Sequence, residues 1–334
     1  MKTNKLHISA AIASLMSLGM VGQAEAYTSA GSVLEFNNVA FSITAAPGAL
    51  DSYQYTTTNI ATLNTVDHPS LGGFDSDTCG TATTTACGVT PALDSQLIKL
   101  GDSAHVANTF SLDGPNKGTE YSYADSVISS SLLSGGTTTA ASLIAETELL
   151  SSGDGSADAT LKSNSTFTWE FTITNNGSVT LTFAARAQEY SQSDNPGSIA
   201  VNASTSLTAQ VLLTQNDGSD TGTWNPDGNG ANGCTALNGV TCSLELDPFS
   251  LNDPTGIGSD PASDTYTTGG FHSYRIQFDG LADGTYSLTL NGAVGTQVSK
   301  LEESVPEPET LFLLGIGLLA LTGNSARQSK KQQI

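Results

Sequence analysis

From Thr166 to Phe183 the side chains alternate between apolar and polar on both sides of Asn176-Gly177. Phe167, Trp169, Phe171 and Ile173 precede the dipeptide, interleaved with Thr166, Thr168, Glu170 and Thr172; Val179, Leu181 and Phe183 follow it. A period of two places each apolar set on one face of a β-strand and cannot form a helical stripe. Asn-Gly accepts the positive φ of a two-residue turn, so the pattern predicts a β-hairpin with one face on a core.

Other segments read the same way. Strands are expected at Val33–Ile43, Ser122–Leu132, Ser204–Leu213 and His272–Phe278, and at Thr285–Leu290 after the turn Asp283-Gly284. Leu207, Ala209, Val211 and Leu213 share a face, as do Tyr274, Ile276 and Phe278, and Tyr286, Leu288 and Leu290. Ala140–Leu150 has the composition of a helix as well, and is read as a strand from its neighbours. Residues 64–120 and 215–270, rich in Asp, Gly, Asn, Pro and Thr, are expected to be long loops. The expected fold class is all-β, an antiparallel β-sandwich over residues 27–300.

The two ends have a different character. Lys2 and Lys5, the apolar run Ile8–Val21 and Ala24-Glu25-Ala26 form a secretory signal with small residues where a signal peptidase cuts, which predicts a mature start at Tyr27. Near the other end come a short acidic stalk (301–304), then Val305-Pro306-Glu307-Pro308, an apolar run Leu311–Leu321, and the cations Arg327, Lys330 and Lys331. The stalk is read as part of Ser299–Ser304, between the last strand and the membrane. A transmembrane helix over about 309–326 is expected, its basic tail in the cytoplasm and everything upstream outside.

Val305-Pro306-Glu307-Pro308, a Leu/Gly-rich helix and a basic tail resemble the PEP-CTERM sorting signal of Gram-negative bacteria that make exopolysaccharide. The resemblance covers about 305–331, and the cations here are spread behind Asn324-Ser325 where the family clusters arginines. It implies recognition of the Pro-Glu-Pro element by an exosortase-like membrane enzyme. It also implies inner-membrane anchoring, at least transient, and then a place in the periplasm, at the cell surface or in the extracellular matrix or biofilm.

Between the two ends the chain keeps six of its eleven cations and 27 of its 32 acids, a net charge of -21. Such a surface repels nucleic acid and anionic lipid, which excludes phosphate-backbone binding. Four cysteines form two pairs of identical spacing, Cys79 with Cys87 and Cys234 with Cys242. In an exported chain these read as disulfides, local pairing being favoured over crossed pairing because short loops close most easily. Neither pair has zinc-finger spacing.

Asn225, Asp227 and Asn229 put oxygens at alternate positions before Gly230, as a calcium loop begins, but the closing Glu is replaced by Ala236. The segment reads as a polar turn, with calcium the competing reading, and no other metal or cofactor is expected. His68, His105 and His272 lie in unrelated contexts, without a nucleophile elbow or a His-Glu-x-x-His pair. The expected function is therefore a non-catalytic, sorted surface or matrix protein associated with exopolysaccharide. The alternatives are a carbohydrate-binding module using exposed Trp224 or Tyr190, and, behind it, a secreted hydrolase.

Overall fold

The computed structural model describes residues 27–44, 49–64, 71–82, 93–130, 139–150, 157–194, 200–218, 221–230, 233–258 and 262–301. Among them lie β1 (Tyr27–Thr44), β2 (Ala49–Asn64), β3 (Leu71–Ala82), β4 (Leu93–Gly101), β5 (Tyr121–Ser130), β6 (Thr139–Leu150), β7 (Ala157–Ile173) and β8 (Gly177–Asp194). They are followed by β9 (Ala200–Gln215), β10 (Thr221–Trp224), β11 (Cys234–Leu237), β12 (Thr241–Leu246), β13 (Gly256–Ile257), β14 (Ala262–Thr267), β15 (His272–Leu281) and β16 (Gly284–Leu301). The described residues contain no helix.

The strands form two antiparallel eight-stranded sheets. The first has the order β12-β15-β8-β1-β6-β5-β4 with β14 also on β8; the second has β11-β10-β9-β16-β7-β2-β3 with β13 also on β9. Their inner faces meet in one core, where Phe36, Phe183, Tyr274 and Phe278 of the first sheet join Phe167, Trp169, Trp224 and Tyr286 of the second. Every face predicted from periodicity is buried here, including Leu207–Leu213 and Tyr286–Leu290. Rings from opposite sheets meet at 5.5 Å (Phe41 and Trp169) and 6.1 Å (Phe183 and Trp224), contacts worth about 0.5–1.5 kcal/mol each beyond the area they bury. Glycine makes two of these approaches possible: a Cβ on Gly292 would lie 2.4 Å from the Phe36 ring, and one on Gly222 2.5 Å from Phe278.

The predicted hairpin is corrected by the pairing. β7 bonds β16 and β2 in the second sheet, whereas β8 bonds β1, β14 and β15 in the first, so Asn176-Gly177 links two sheets. Asn175 and Asn176, with φ of 63° and 52°, turn the chain across the core. The alternation is unchanged by this, because both strands still point the same side chains inward. Each strand instead makes a long ladder in its own sheet: β7 is in register with β16 from Ile173 to Ala157, and β8 pairs with β1 from Ser178 to Asp194. Asp283-Gly284 does the same between β15 and β16.

Two further corrections concern the long loops. Residues 64–120 contain β3 and β4, and 215–270 contain β10 to β14. Short or polar strands at sheet edges lack the apolar alternation that marks a half-buried strand. Ser299 to Leu301, read as stalk, belong to β16. Ala140–Leu150 is a strand as expected, buried on both faces from Leu143 to Leu149. Burial on both faces accounts for its helix-like composition.

Both ends of the described chain lie at one end of the sandwich. Tyr27 is opposite Leu150 and Asp194, and Lys300 donates to the Leu150 carbonyl while its ammonium stands 3.7 Å from Glu120.

Candidate functional site

The outer face of the first sheet carries the densest group of buried ionisable residues among those described. Tyr121, Tyr123 and Asp125 of β5, Glu146 and Glu148 of β6 and Tyr190 of β8 all point outward, yet they are covered. The cover is a strap, residues 102–120, whose Phe110 and Leu112 pack on Val33, Tyr121, Tyr123 and Ile144.

Carboxylates hold the strap by its backbone. Asp125 accepts from Asn108 N–H at 2.7 Å, Glu146 from Asp113 and Gly114 N–H at 2.8 Å each, and Glu148 from Lys117 and Gly118 N–H at 2.8 and 3.1 Å. Gly114 and Gly118, at φ of 80° and 73°, turn consecutive amides toward one anion. Glu146 also accepts from the hydroxyls of Tyr123, Tyr190 (2.5 Å) and Tyr121 (3.4 Å). Burial pushes the Glu146 and Glu148 carboxyls above their ordinary range and raises all three phenols, with the neighbouring Glu146 charge adding to the rise. His105 completes the layer, stacked on Tyr123 at 3.8 Å and 3.5 Å from Asp125. Each of these acids holds backbone or hydroxyl donors. The sequence signal for this layer is the matching parity of Tyr121, Tyr123 and Asp125 with Glu146 and Glu148 on adjacent strands, a polar face too aromatic for open water.

The turn at Asn225, Asp227 and Asn229 wraps around a carboxylate. Asp227 and Gly228 N–H donate to Asp247 at 3.0 and 3.1 Å, and Asn229 N–H to Asp227 at 2.9 Å. Burial raises Asp247, and the Asn229 amide lowers Asp227. Asn225 accepts from Gln210 at 3.0 Å. Among the described residues no group of three or more His, Cys, Asp or Glu is arranged to hold a metal ion.

Cys234 and Cys242 are bonded to each other. They join β11 at the edge of one sheet to β12 at the edge of the other, so a local pairing in sequence is a bridge between sheets. Cys79 lies on β3 opposite Tyr55; its side chain and Cys87 fall outside the described residues.

The expected sugar-stacking aromatics are not at the surface. Trp224 is fully buried with its indole N–H on Glu245 at 2.8 Å, and Tyr190 lies beneath the strap. Trp224 fills the core because its strand, β10, points it inward beside Phe183. His272 sits in β15 with Nε2 2.9 Å from the Thr268 carbonyl.

The signal-cleavage residues Ala24 and Ala26, the sorting residues Val305, Pro306, Glu307 and Pro308, the helix expected over 309–326 and the tail Arg327, Lys330 and Lys331 lie outside the described residues, as does His68. No helix of the described residues is long and apolar enough to cross a membrane. No curated protein and no solved structure matches the chain. One family model does match, over residues 304–328, and its description is the PEP-CTERM protein-sorting motif. That motif, beginning three residues after the last residue of β16, marks this chain as an exported protein sorted through its C-terminal segment by an exosortase-like enzyme.

Proposed function

We propose that this is a non-catalytic surface or matrix protein of a Gram-negative bacterium, delivered by its C-terminal signal and retained with exopolysaccharide. The observation that carries the reading is the sorting motif at 304–328, directly behind a sandwich that ends at Leu301. The buried acids support it: Asp125, Glu146 and Glu148 are occupied in fastening the strap, a structural use of groups that a hydrolase would leave facing a cleft. In this reading a helix over about 309–326 halts in the inner membrane, Arg327, Lys330 and Lys331 remain in the cytoplasm, and Pro306-Glu307-Pro308 meets the processing enzyme at the outer face.

Intact mass of the protein recovered from envelope and medium, in cells with and without the exosortase-type enzyme, tests this directly. The expected product starts at Tyr27, lacks the apolar run and basic tail, and accumulates unprocessed when the enzyme is deleted or Pro306 is replaced by Ala. A cytosolic chain that keeps Met1 would overturn the proposal.

A further inference from the structure

On the outer face of the first sheet, beside the strap, a cleft of about 210 Å³ opens between Phe110 and the turn 267–270. Its floor is the buried Val33, and its rim carries Arg186 and Gln188 of β8, both exposed. The far wall is fixed by backbone bonds. Thr268 exchanges hydrogen bonds with Ala187, donating its N–H to the Ala187 carbonyl and accepting the Ala187 N–H on Oγ1, both at 3.1 Å. Gly269 N–H donates to Thr267 Oγ1 at 3.0 Å.

Arg186 is held in place on two sides. Its Nε donates to Glu35, the residue opposite it on β1, and its guanidinium carbon stands 5.3 Å above the ring of Phe271. Glu35 also accepts from Ser142 at 3.4 Å. A planar donor fixed in this way, with its side chain still 45 % exposed, has further N–H groups to offer a ligand at little entropic cost.

We propose that this cleft is a glycan subsite that takes one neutral sugar unit. A sugar ring presents an apolar C–H face and hydroxyls that both donate and accept. Phe110 and Val33 supply the apolar contact, the guanidinium donates, and the Gln188 amide both donates and accepts. Charge selects against the competing ligands. Glu35 already neutralises Arg186, and the chain's net charge of -21 repels phosphate and uronate, while the polar rim disfavours a wholly apolar guest. The inference deepens the matrix reading and takes from it only the source of the sugar.

The test titrates the exported protein, recovered from the culture, with maltose, cellobiose and lactose, with glucuronic acid, and with the producer's purified polysaccharide, followed by calorimetry and saturation-transfer NMR. The expected result is saturable binding to at least one neutral probe, weakened about tenfold or more in Arg186→Gln and in Gln188→Ala, and unchanged in Leu237→Ser on the edge of the other sheet. Both cleft substitutions are at exposed positions, and matching melting curves establish that the variants are folded. Absence of saturable binding to every neutral probe, tighter binding of glucuronic acid, or binding indifferent to both cleft substitutions overturns the subsite. A protein correctly processed yet unable to bind sinks the cleft alone; one that binds but stays in the cytosol sinks the matrix reading alone.

Discussion

Removing the Cys234–Cys242 bridge by the double substitution Cys234→Ala, Cys242→Ala should lower the stability of the whole sandwich. The bridge closes a short loop, the two cysteines being eight residues apart. The chain-entropy estimate for a loop of this size is about 2.5 kcal/mol. For a domain of this length that corresponds to a fall in melting temperature on the order of 5 °C. Placement determines whether the full amount is felt. β11 bonds only β10, and β12 bonds only β15, so each is an outermost strand, and the bridge is the one disulfide between the sheets among the described residues. Without it both edges should fray before the core opens, exposing the turn around Asn238-Gly239 to protease. Scanning calorimetry of wild type and double variant, with cleavage sites mapped by mass, measures both effects. If the variant melts with the wild type and gains no new cut between the cysteines, the assignment of a structural role to this bridge is refuted.

Burial pushes the Glu189 carboxyl up to about 7, with Asp253 and Asp264 adding to the rise and hydrogen bonds from Thr205 and Ser32 opposing it. A raised folded value means stability that is present in acid and lost as pH climbs through 7, so the unfolding free energy from denaturant titrations should increase from pH 8 to pH 5 by up to about 3 kcal/mol, and Glu189→Gln should flatten the profile; an unchanged slope in the variant contradicts this. Gly292→Ala forces a methyl group against the Phe36 ring and should cost about 1–3 kcal/mol in urea unfolding, whereas a neutral result would mean the sheets separate more easily than their packing indicates. Trp224→Ala should cost about 3–5 kcal/mol because the indole is fully buried, and a variant as stable as wild type but defective in sugar binding would restore Trp224 to the surface.

Side-chain parity was readable in the sequence and strand partnership was not. Phe167–Ile173 and Val179–Phe183 were placed correctly on a core, since period-two alternation reports which side chains point inward. It carries no information on which sheet a strand joins, because both sheets of a sandwich bury the same parity. Asn176-Gly177 suits a reversal of either kind, and the two strands go to different sheets, β7 onto β16 and β8 onto β1, each in a long ladder. The strap was hidden for a related reason. The residues that cover Glu146 and Glu148 are a polar, irregular segment without periodicity, held by backbone amides that any sequence possesses. Trp224 failed as a surface aromatic because its strand is four residues long, too short for alternation to show its inward direction. The sorting motif was legible because its signal is a linear order of residue types that depends on no tertiary contact.

The location of Leu301 has a mechanical consequence. β16 lies between β7 and β9, antiparallel to both and in register with each along nearly its entire length, and the sorting segment continues covalently from its last residue. A pull on Leu301 directed along the strand would load the rungs on both flanks together in shear, and they could not be unzipped one by one. Had the chain left from an edge strand such as β3 or β11, the same pull would have peeled the sheet open from its margin.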